Sequence, residues 1–302
     1  MNMSNITLAF IAYVLDRIFG ELRCIKHPVI IMGDAIKWFE KHFYHASVVR
    51  GLLLLVFVVS LTAASSFIIV YLLAFLAPEL TLALSALIAA MFLAHKMLYD
   101  VVLSLTSSVK PKEELAMLVS RDTADLSQSD VCKAGIETYA ENLSDGVIAP
   151  LLYLLLFGLP GIMIYKAVNT LDSMVGYRTE RFEKYGKASA KLDDVLNFIP
   201  ARITALMIML VSKPLKLFAF YKQGKKHESP NAGLPITAMA LAIDVKLGGP
   251  TAYFNSVKKK AFFGQGKELL DNKDIVKSLK IGKKLDFLVI FLLILALLMI
   301  KM

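Results

Sequence analysis

Two polar clusters in an otherwise apolar chain combine residue types and spacings that suit a reaction centre. The first is Glu141, Asn142 and Asp145 within AENLSDGVIAP (140–150). Its carboxylates are four residues apart, so a helix through them carries both on one face. The second is Lys166, Asn169, Asp172 and Ser173 within YKAVNTLDSMVGYR (165–178), with Asp193 and Asp194 further on. These recur at steps of three and four, again one helical face, directly after a hydrophobic stretch. Polar and ionisable groups at a membrane boundary are costly unless they meet water, a partner or a substrate. The residues therefore predict an acid-rich polar site, and by themselves they name no reaction.

Three further clusters are Asp16-Arg17 through Gly20 with His27-Pro28 and Gly33-Asp34; Arg121-Asp122-Thr123; and Ser229 to Gly233 with Gly248-Gly249-Pro250. Plainer readings stand beside the chemical ones. Glu141 and Asp145 also suit a solvated helix end, and Asp193-Asp194 an N-cap pair before Val195. Lys166 suits a snorkelling lysine, His27 a loop residue, and the Gly248-Gly249 pair a turn. No Walker A loop or zincin motif is present. Cys24 and Cys132 match neither a zinc pattern nor a disulfide framework and read as unpaired thiols.

The elements that must position these groups lie in a membrane. Of 302 residues, 57% are apolar and 20% charged, and the mean hydropathy is +0.61; a soluble domain is nearer half and a quarter. Residues 51–77 hold no charge and exceed the roughly 20 that span a bilayer. With 80–105 they predict a helical hairpin. A motif-bearing catalytic region follows over 106–253, and a C-terminal membrane helix over 285–300, the whole 1–302 forming one integral-membrane domain. Within that region, Ser127 to Asp130 caps a helix over 131–140. No cleavable signal peptide is evident, and strand signals are scarce. The fold class is all-α: a polytopic helical membrane protein with broken or re-entrant helices and a polar site at the membrane boundary.

The breaks follow from topology. The net charge is +9, and the basic stretches 17–50 and 213–284 belong on the cytoplasmic side; no aromatic-interleaved basic motif suggests nucleic acid. If 146–165 and 195–211 both crossed fully, the block 166–194 would face away from 121–145, and the two could not share a site. Gly158-Leu159-Pro160-Gly161 interrupts the first segment, and Asn197, Pro200 and Arg202 mark the second. Irregular backbone at membrane depth is tolerated where protein or a wet cavity surrounds it.

Taken in order, these motifs resemble one family. LDRIFG (15–20) with HPV (27–29), RDT (121–123), 140–177, KLDD (191–194), Asn197, PARITA (200–205), SPNAG (229–233) and LGGP (247–250) are similar to the adenosylcobinamide-phosphate synthases, integral membrane enzymes of cobalamin biosynthesis. The resemblance covers about 15–253; the basic stretch 258–284 and the last helix carry no matching motif.

The resemblance implies a multi-pass protein of the cytoplasmic membrane. It would use ATP and Mg2+ to join adenosylcobyric acid, a corrinoid, to an aminopropanol, usually as its O-phosphate. Its substrates and membrane lipid are the implied partners; Met-rich apolar faces can pack within one chain or between copies, so a homo-oligomer is a further expectation. The implied Mg2+ ligands are Glu141, Asp145 and Asp172, with Asp193 a further candidate. Catalytic candidates are Glu141, Asp145, Asp172, Lys166, Asp122 and Asp194, the last two as proton acceptors. Arg121, Asn142, Asn169, Arg178, Asn231 and Arg17 would bind phosphate or substrate, with Arg202 a weaker candidate, and the Gly248-Gly249 turn would allow close approach of substrate to backbone. The rival expectation is a corrinoid-binding transporter or scaffold for nucleotide-loop assembly, for which interrupted helices also speak.

Overall fold

The computed structural model describes residues 3–21, 26–119, 123–253, 256–258 and 261–301. In chain order the helices are α1 (Met3–Phe19), α2 (Pro28–Phe43), α3 (Val48–Leu73), α4 (Pro78–Ala90), α5 (His95–Ser104), α6 (Pro111–Ala116), α7 (Gln128–Leu143), α8 (Ala149–Val175), α9 (Lys187–Leu196), α10 (Phe198–Ser212), α11 (Tyr221–Gly224), α12 (Gly233–Ala242) and α13 (Asn272–Lys301). A π-helical turn, Ser144–Ile148, joins α7 to α8. The strands are short: β1 (Leu247–Gly248) pairs antiparallel with β4 (Phe262–Phe263), and β2 (Thr251–Tyr253) with β3 (Ser256–Lys258).

Among the described residues, three helical stretches are long and apolar enough to cross a membrane: Val48–Leu73, Pro78–Ser104 and Gln128–Val175. A fourth candidate, Lys187–Leu196 with Phe198–Ser212, qualifies only as a bent pair. The chain is a polytopic helical membrane protein. The α3 helix is apolar all round, and Leu52, Leu53, Val56, Leu61, Phe67 and Ile68 stay exposed on it, as side chains meeting lipid do.

The chain forms two compact units. One comprises Met1–Lys96, Ala149–Asn197 and Leu293–Met302. Its centre is α8, which packs against α1, α2, α3, α4 and α9. The other comprises Met97–Ile148 and Phe198–Leu292. Its centre is α12, whose residues from Gly233 to Ala240 are all buried and which packs on α7, α10 and α11.

Local sequence accounts for the ends. Ser47 Oγ accepts from the Arg50 N–H at 3.3 Å and opens α3. Ser127 Oγ does the same for Asp130 at 3.2 Å and opens α7, as its sequence predicts. Proline occupies the first turn of α2, α4 and α6, where its missing N–H costs nothing.

The expected breaks are present. Gly158 interrupts α8 with φ 66 and ψ −155, a conformation essentially confined to glycine, and Pro160 follows. The break frees the Leu155 carbonyl, which accepts from Asn5 Nδ2 at 3.3 Å. The second segment bends between Leu196 and Phe198.

One further break escaped the sequence reading. The hairpin's second arm divides between α4 and α5, over 91–94. Asp16 Oδ2 accepts from the His95 N–H at 3.0 Å, and His27 bonds the Met91 backbone. The LDRIFG and HPV motifs thus satisfy the backbone groups that this break exposes. Burial raises the Asp16 carboxyl to about 6, against the lowering effects of the His95 charge, the His95 and Lys96 N–H groups and Arg17.

The last helix is longer than 285–300. It begins at Asn272, where Asp271 Oδ1 accepts from the Lys273 N–H at 2.8 Å. Lys273, Lys277, Lys280, Lys283 and Lys284 are exposed while Ile275, Leu279 and Leu285 are buried. The charges that mark 258–284 as soluble lie, from 272 on, on the outer face of an amphipathic helix.

Candidate active site

The YKAVNTLDSMVGY stretch forms the second half of α8, and its polar residues begin a run of hydrogen bonds. Lys166 Nζ donates to Asn169 Oδ1 at 3.2 Å. Asn169 Nδ2 points toward Asp193 Oδ1 at 3.4 Å. The amide orientation follows from charge, its oxygen facing an ammonium and its nitrogen a carboxylate. Asp193 Oδ2 accepts from Asn197 Nδ2 at 2.9 Å, and Asn197 Oδ1 accepts from the Tyr165 hydroxyl at 2.8 Å. Tyr153 stacks on Tyr165, with ring centroids 4.9 Å apart, and donates to the Leu196 carbonyl at 3.0 Å. Asp193 and Asn197 are buried. The Asp193-Asp194 pair is therefore no N-cap: both residues lie inside α9, which starts at Lys187.

The Lys166 end of this run opens into a cleft of about 370 Å³ between α2 and α8. Lys37 and Asp34 line it from α2; Asn169, Thr170 and Ser173 line it with Lys166 from α8. Asp172 is not among the lining residues. Six residues from Lys166, it lies about 240° round the helix, and it is half-buried near Gly176. Thr170 and Ser173 donate their hydroxyl protons to the Lys166 and Asn169 carbonyls at 2.7 and 2.8 Å, so they face the cleft as acceptors. Asp34 forms an exposed ion pair with Lys26 at 2.6 Å, and that hydrogen bond holds its carboxyl below the usual range. His27 Nδ1 accepts from the Val29 N–H at 3.3 Å. Burial and the Lys166 charge push its imidazole down, against the Glu21 charge and the Met91 backbone.

The loop after α8 carries Arg178, which is exposed. Three residues on, Arg181 clamps that loop to the end of α2: its Nη2 and Nε donate to Glu40 Oε1 at 2.6 and 3.2 Å, and its carbonyl accepts from the Tyr44 hydroxyl at 2.9 Å. Glu40 in turn raises the Arg181 guanidinium. Arg17, in the last turn of α1, sits beside Asp16 and is not among the cleft residues.

Glu141 and Asp145 belong to the second unit. Both are half-buried, Glu141 near the end of α7 and Asp145 in the π-helical turn. Such turns interrupt α-helices often at functional sites. Asn142 Nδ2 donates to the Thr138 carbonyl at 3.0 Å. Asn231 is buried, and its Oδ1 accepts from Arg202 Nη1 at 3.3 Å.

The Gly248-Gly249 turn departs from expectation. Both residues have positive φ, 72° and 89°, and a side chain on them would strike Ala261 and Phe262. Their close approach serves the chain's own β4, and the Gly248 N–H donates to Glu137 Oε1 at 2.7 Å.

Among the described residues no three His, Cys, Asp or Glu side chains gather closely enough to hold a metal alone. Mg2+ needs only one or two carboxylates when phosphate oxygens complete its shell, so pairs such as Glu141 with Asp145 suffice as a donor set. Arg121, Asp122 and Cys24 lie outside the described residues. Lys37 and Thr170 were missed as site residues from sequence. A signal for Lys37 was there: it follows Gly33 by four residues, on the α2 face that carries the Gly33-Asp34 cluster.

The CobD/Cbib protein family profile matches residues 9–282. The chain belongs to this family of cobalamin biosynthesis proteins. It is 37% identical over 302 aligned residues to the cobalamin biosynthesis protein CobD of Halalkalibacterium halodurans, covering 94% of each chain. It is 38% identical over 275 residues to the protein of the same name from Geobacter metallireducens, covering 86% of each. The Clostridium perfringens protein of that name is 35% identical over 294 residues, 92% of this chain and 93% of its own. No solved structure matches the chain.

Proposed function

We propose that the chain is an ATP-dependent amide ligase of the cytoplasmic membrane, joining a carboxylate of adenosylcobyric acid to an aminopropanol or its O-phosphate. The observation that carries this reading is the hydrogen-bonded run from Lys166 through Asn169 to buried Asp193, opening on a cleft with a second lysine. It lies in the stretch that most specifically resembles the synthases.

A carboxylate cannot expel oxide, so the acid must first be activated. Transfer of the γ-phosphoryl group of ATP to a carboxylate oxygen gives an acyl phosphate and ADP. The amine nitrogen then attacks the acyl carbon, phosphate leaves, and a base takes the N–H proton. Most of the catalysis is positioning and charge stabilisation. Lys166 supplies positive charge to a substrate phosphate, and Arg178 supplies more from its clamped loop. Asn169 aims the Lys166 ammonium, while Asp193 and Asn197, both buried and mutually bonded, hold Asn169. Asp193 thus acts as a positioning residue. Asp194, half-buried on α9, is the described candidate for taking the amine proton. Glu141 and Asp145 are the carboxylates assigned to Mg2+, and Asp172, in the other unit, is a separate candidate. Bound Mg2+ would neutralise charge on the phosphate oxygens of ATP.

The test is chemical. Detergent-purified protein receives adenosylcobyric acid, Mg-ATP and either aminopropanol phosphate, aminopropanol or ethanolamine phosphate, and mass spectrometry follows the amide. Product formed with ADP supports the ligase. A folded protein that binds corrinoid and makes no amide from any amine is instead a transporter or scaffold.

A further inference from the structure

We propose that the first half of α13 is a docking strip for anionic phospholipid, its lysines meeting headgroup phosphates and the phenylalanines of the following turns meeting the acyl chains. The strip is independent of the ligase chemistry. Lys273, Lys277, Lys280 and Lys284 recur at steps of four, three and four, which confines them to about 60° of the helix surface at roughly 100° per residue. All four are exposed. Phe287 and Phe291 continue the same steps and are 74% and 60% exposed. Ile275, Leu279, Leu285 and Val289 are buried on the opposite face. One outward line on the helix thus changes from cationic to aromatic within a single turn, while the face behind it stays packed.

That order selects the occupant. A soluble phosphate or a nucleotide would meet the lysines and leave the phenylalanines in water. A phospholipid presents phosphate and then hydrocarbon in the same order. Lengths agree with a headgroup at the lysines. The uncharged run 287–300 has 14 residues, about 21 Å of helix, against roughly 30 Å of hydrocarbon. A run that short draws its flanking residues to the interface, where lysines snorkel to the headgroups. Lys284 lies about 4.5 Å along the axis from Phe287 and Lys280 about 10 Å, close to a headgroup layer about 5–8 Å deep. Two neighbours have partners of their own: Lys277 Nζ donates to buried Asp274 at 2.9 Å, and Lys283, beside the strip, lies 5.1 Å from the centroid of the Tyr99 ring. Lys280 and Lys284 are therefore the lysines to exchange.

Full-length protein in a neutral detergent is titrated with dioleoyl phosphatidylglycerol or dioleoyl phosphatidylcholine, and native mass spectrometry follows the bound lipid. The variants are Lys280→Gln with Lys284→Gln, and Lys280→Arg with Lys284→Arg. Both positions are exposed, so neither pair threatens the fold. The glutamine pair weakens phosphatidylglycerol binding about 30-fold, roughly fivefold for each lysine at an anionic surface, and leaves phosphatidylcholine binding unchanged. The arginine pair keeps wild-type affinity. Glycerol phosphate, the headgroup without its chains, competes only weakly. Equal phosphatidylglycerol affinity in wild type and the glutamine pair overturns the strip. Glycerol phosphate competing as well as the lipid, with the same dependence on both lysines, assigns a site for soluble anions and overturns the lipid reading. Equal losses in the glutamine and arginine pairs assign the effect to packing and overturn it as well.

Discussion

Replacing Gly158 by alanine tests the break in α8 through the sign of its effect. In a continuous helix, alanine for glycine stabilises by about 1 kcal/mol. Here Gly158 has φ 66 and ψ −155, a region where any side chain costs about 1–3 kcal/mol. The new Cβ would also meet Asn5 Oδ1 at 3.3 Å, a tight contact that shifts the amide holding the Leu155 carbonyl. Side-chain hydrogen bonds between membrane helices average about 0.6 kcal/mol. Together these predict destabilisation by about 2–4 kcal/mol, read from denaturant or thermal unfolding in detergent by circular dichroism. Asn5→Ala alone loses about 0.6 kcal/mol, and the double variant loses less than the sum, because the clash goes with Asn5. Neutral or stabilising behaviour of Gly158→Ala would refute the break and the capping role of Asn5.

Three other outcomes are expected. Asn197→Ala leaves both Asp193 Oδ2 and the Tyr165 hydroxyl without their partner, which predicts about 2–4 kcal/mol of destabilisation, against about 0.5–1 kcal/mol for Tyr165→Phe; equal melting temperatures for the two variants would contradict the network. Asp16 titrates at about 6, raised from 3.8, so its contribution to stability is complete below about pH 4 and is lost as pH rises through 6. Asp16→Asn keeps an acceptor for the His95 N–H and removes that loss, so it gains on wild type by roughly 2–3 kcal/mol between pH 4 and 8, measured as a difference between unfolding curves; parallel pH profiles would exclude burial as the cause. Glu141→Gln and Asp172→Asn keep size and remove charge, and each lowers turnover roughly 10²–10³-fold in a folded protein; near-normal turnover in both would remove them as Mg2+ candidates.

The sequence by itself determined the membrane class, the main spans, two of the breaks and the Ser127 cap. These are local properties: hydropathy over a window, a proline or glycine that a helix cannot absorb, and a hydroxyl one turn before an amphipathic run. It also marked the stretches that tie the chain to its family, because their residues recur in a fixed order.

Which polar groups meet was decided only by packing. Helical periodicity placed Asp172 with Lys166 and Asn169, yet the cleft is completed by Lys37 from another helix and turns away from Asp172. Asp193 faces Asn169 across 24 positions, and Asp16 reaches His95 across 79. Neither pairing leaves a trace in local spacing. The Gly248-Gly249 turn reads as open to a substrate until β4 is seen to fill it. The start of α13 was hidden for the same reason: its lysines are polar in a window average but lie on one face, and only the neighbouring helices reveal that the other face is buried. A 3.6-residue period determines which residues share a face; the partner of that face depends on the fold of the whole chain.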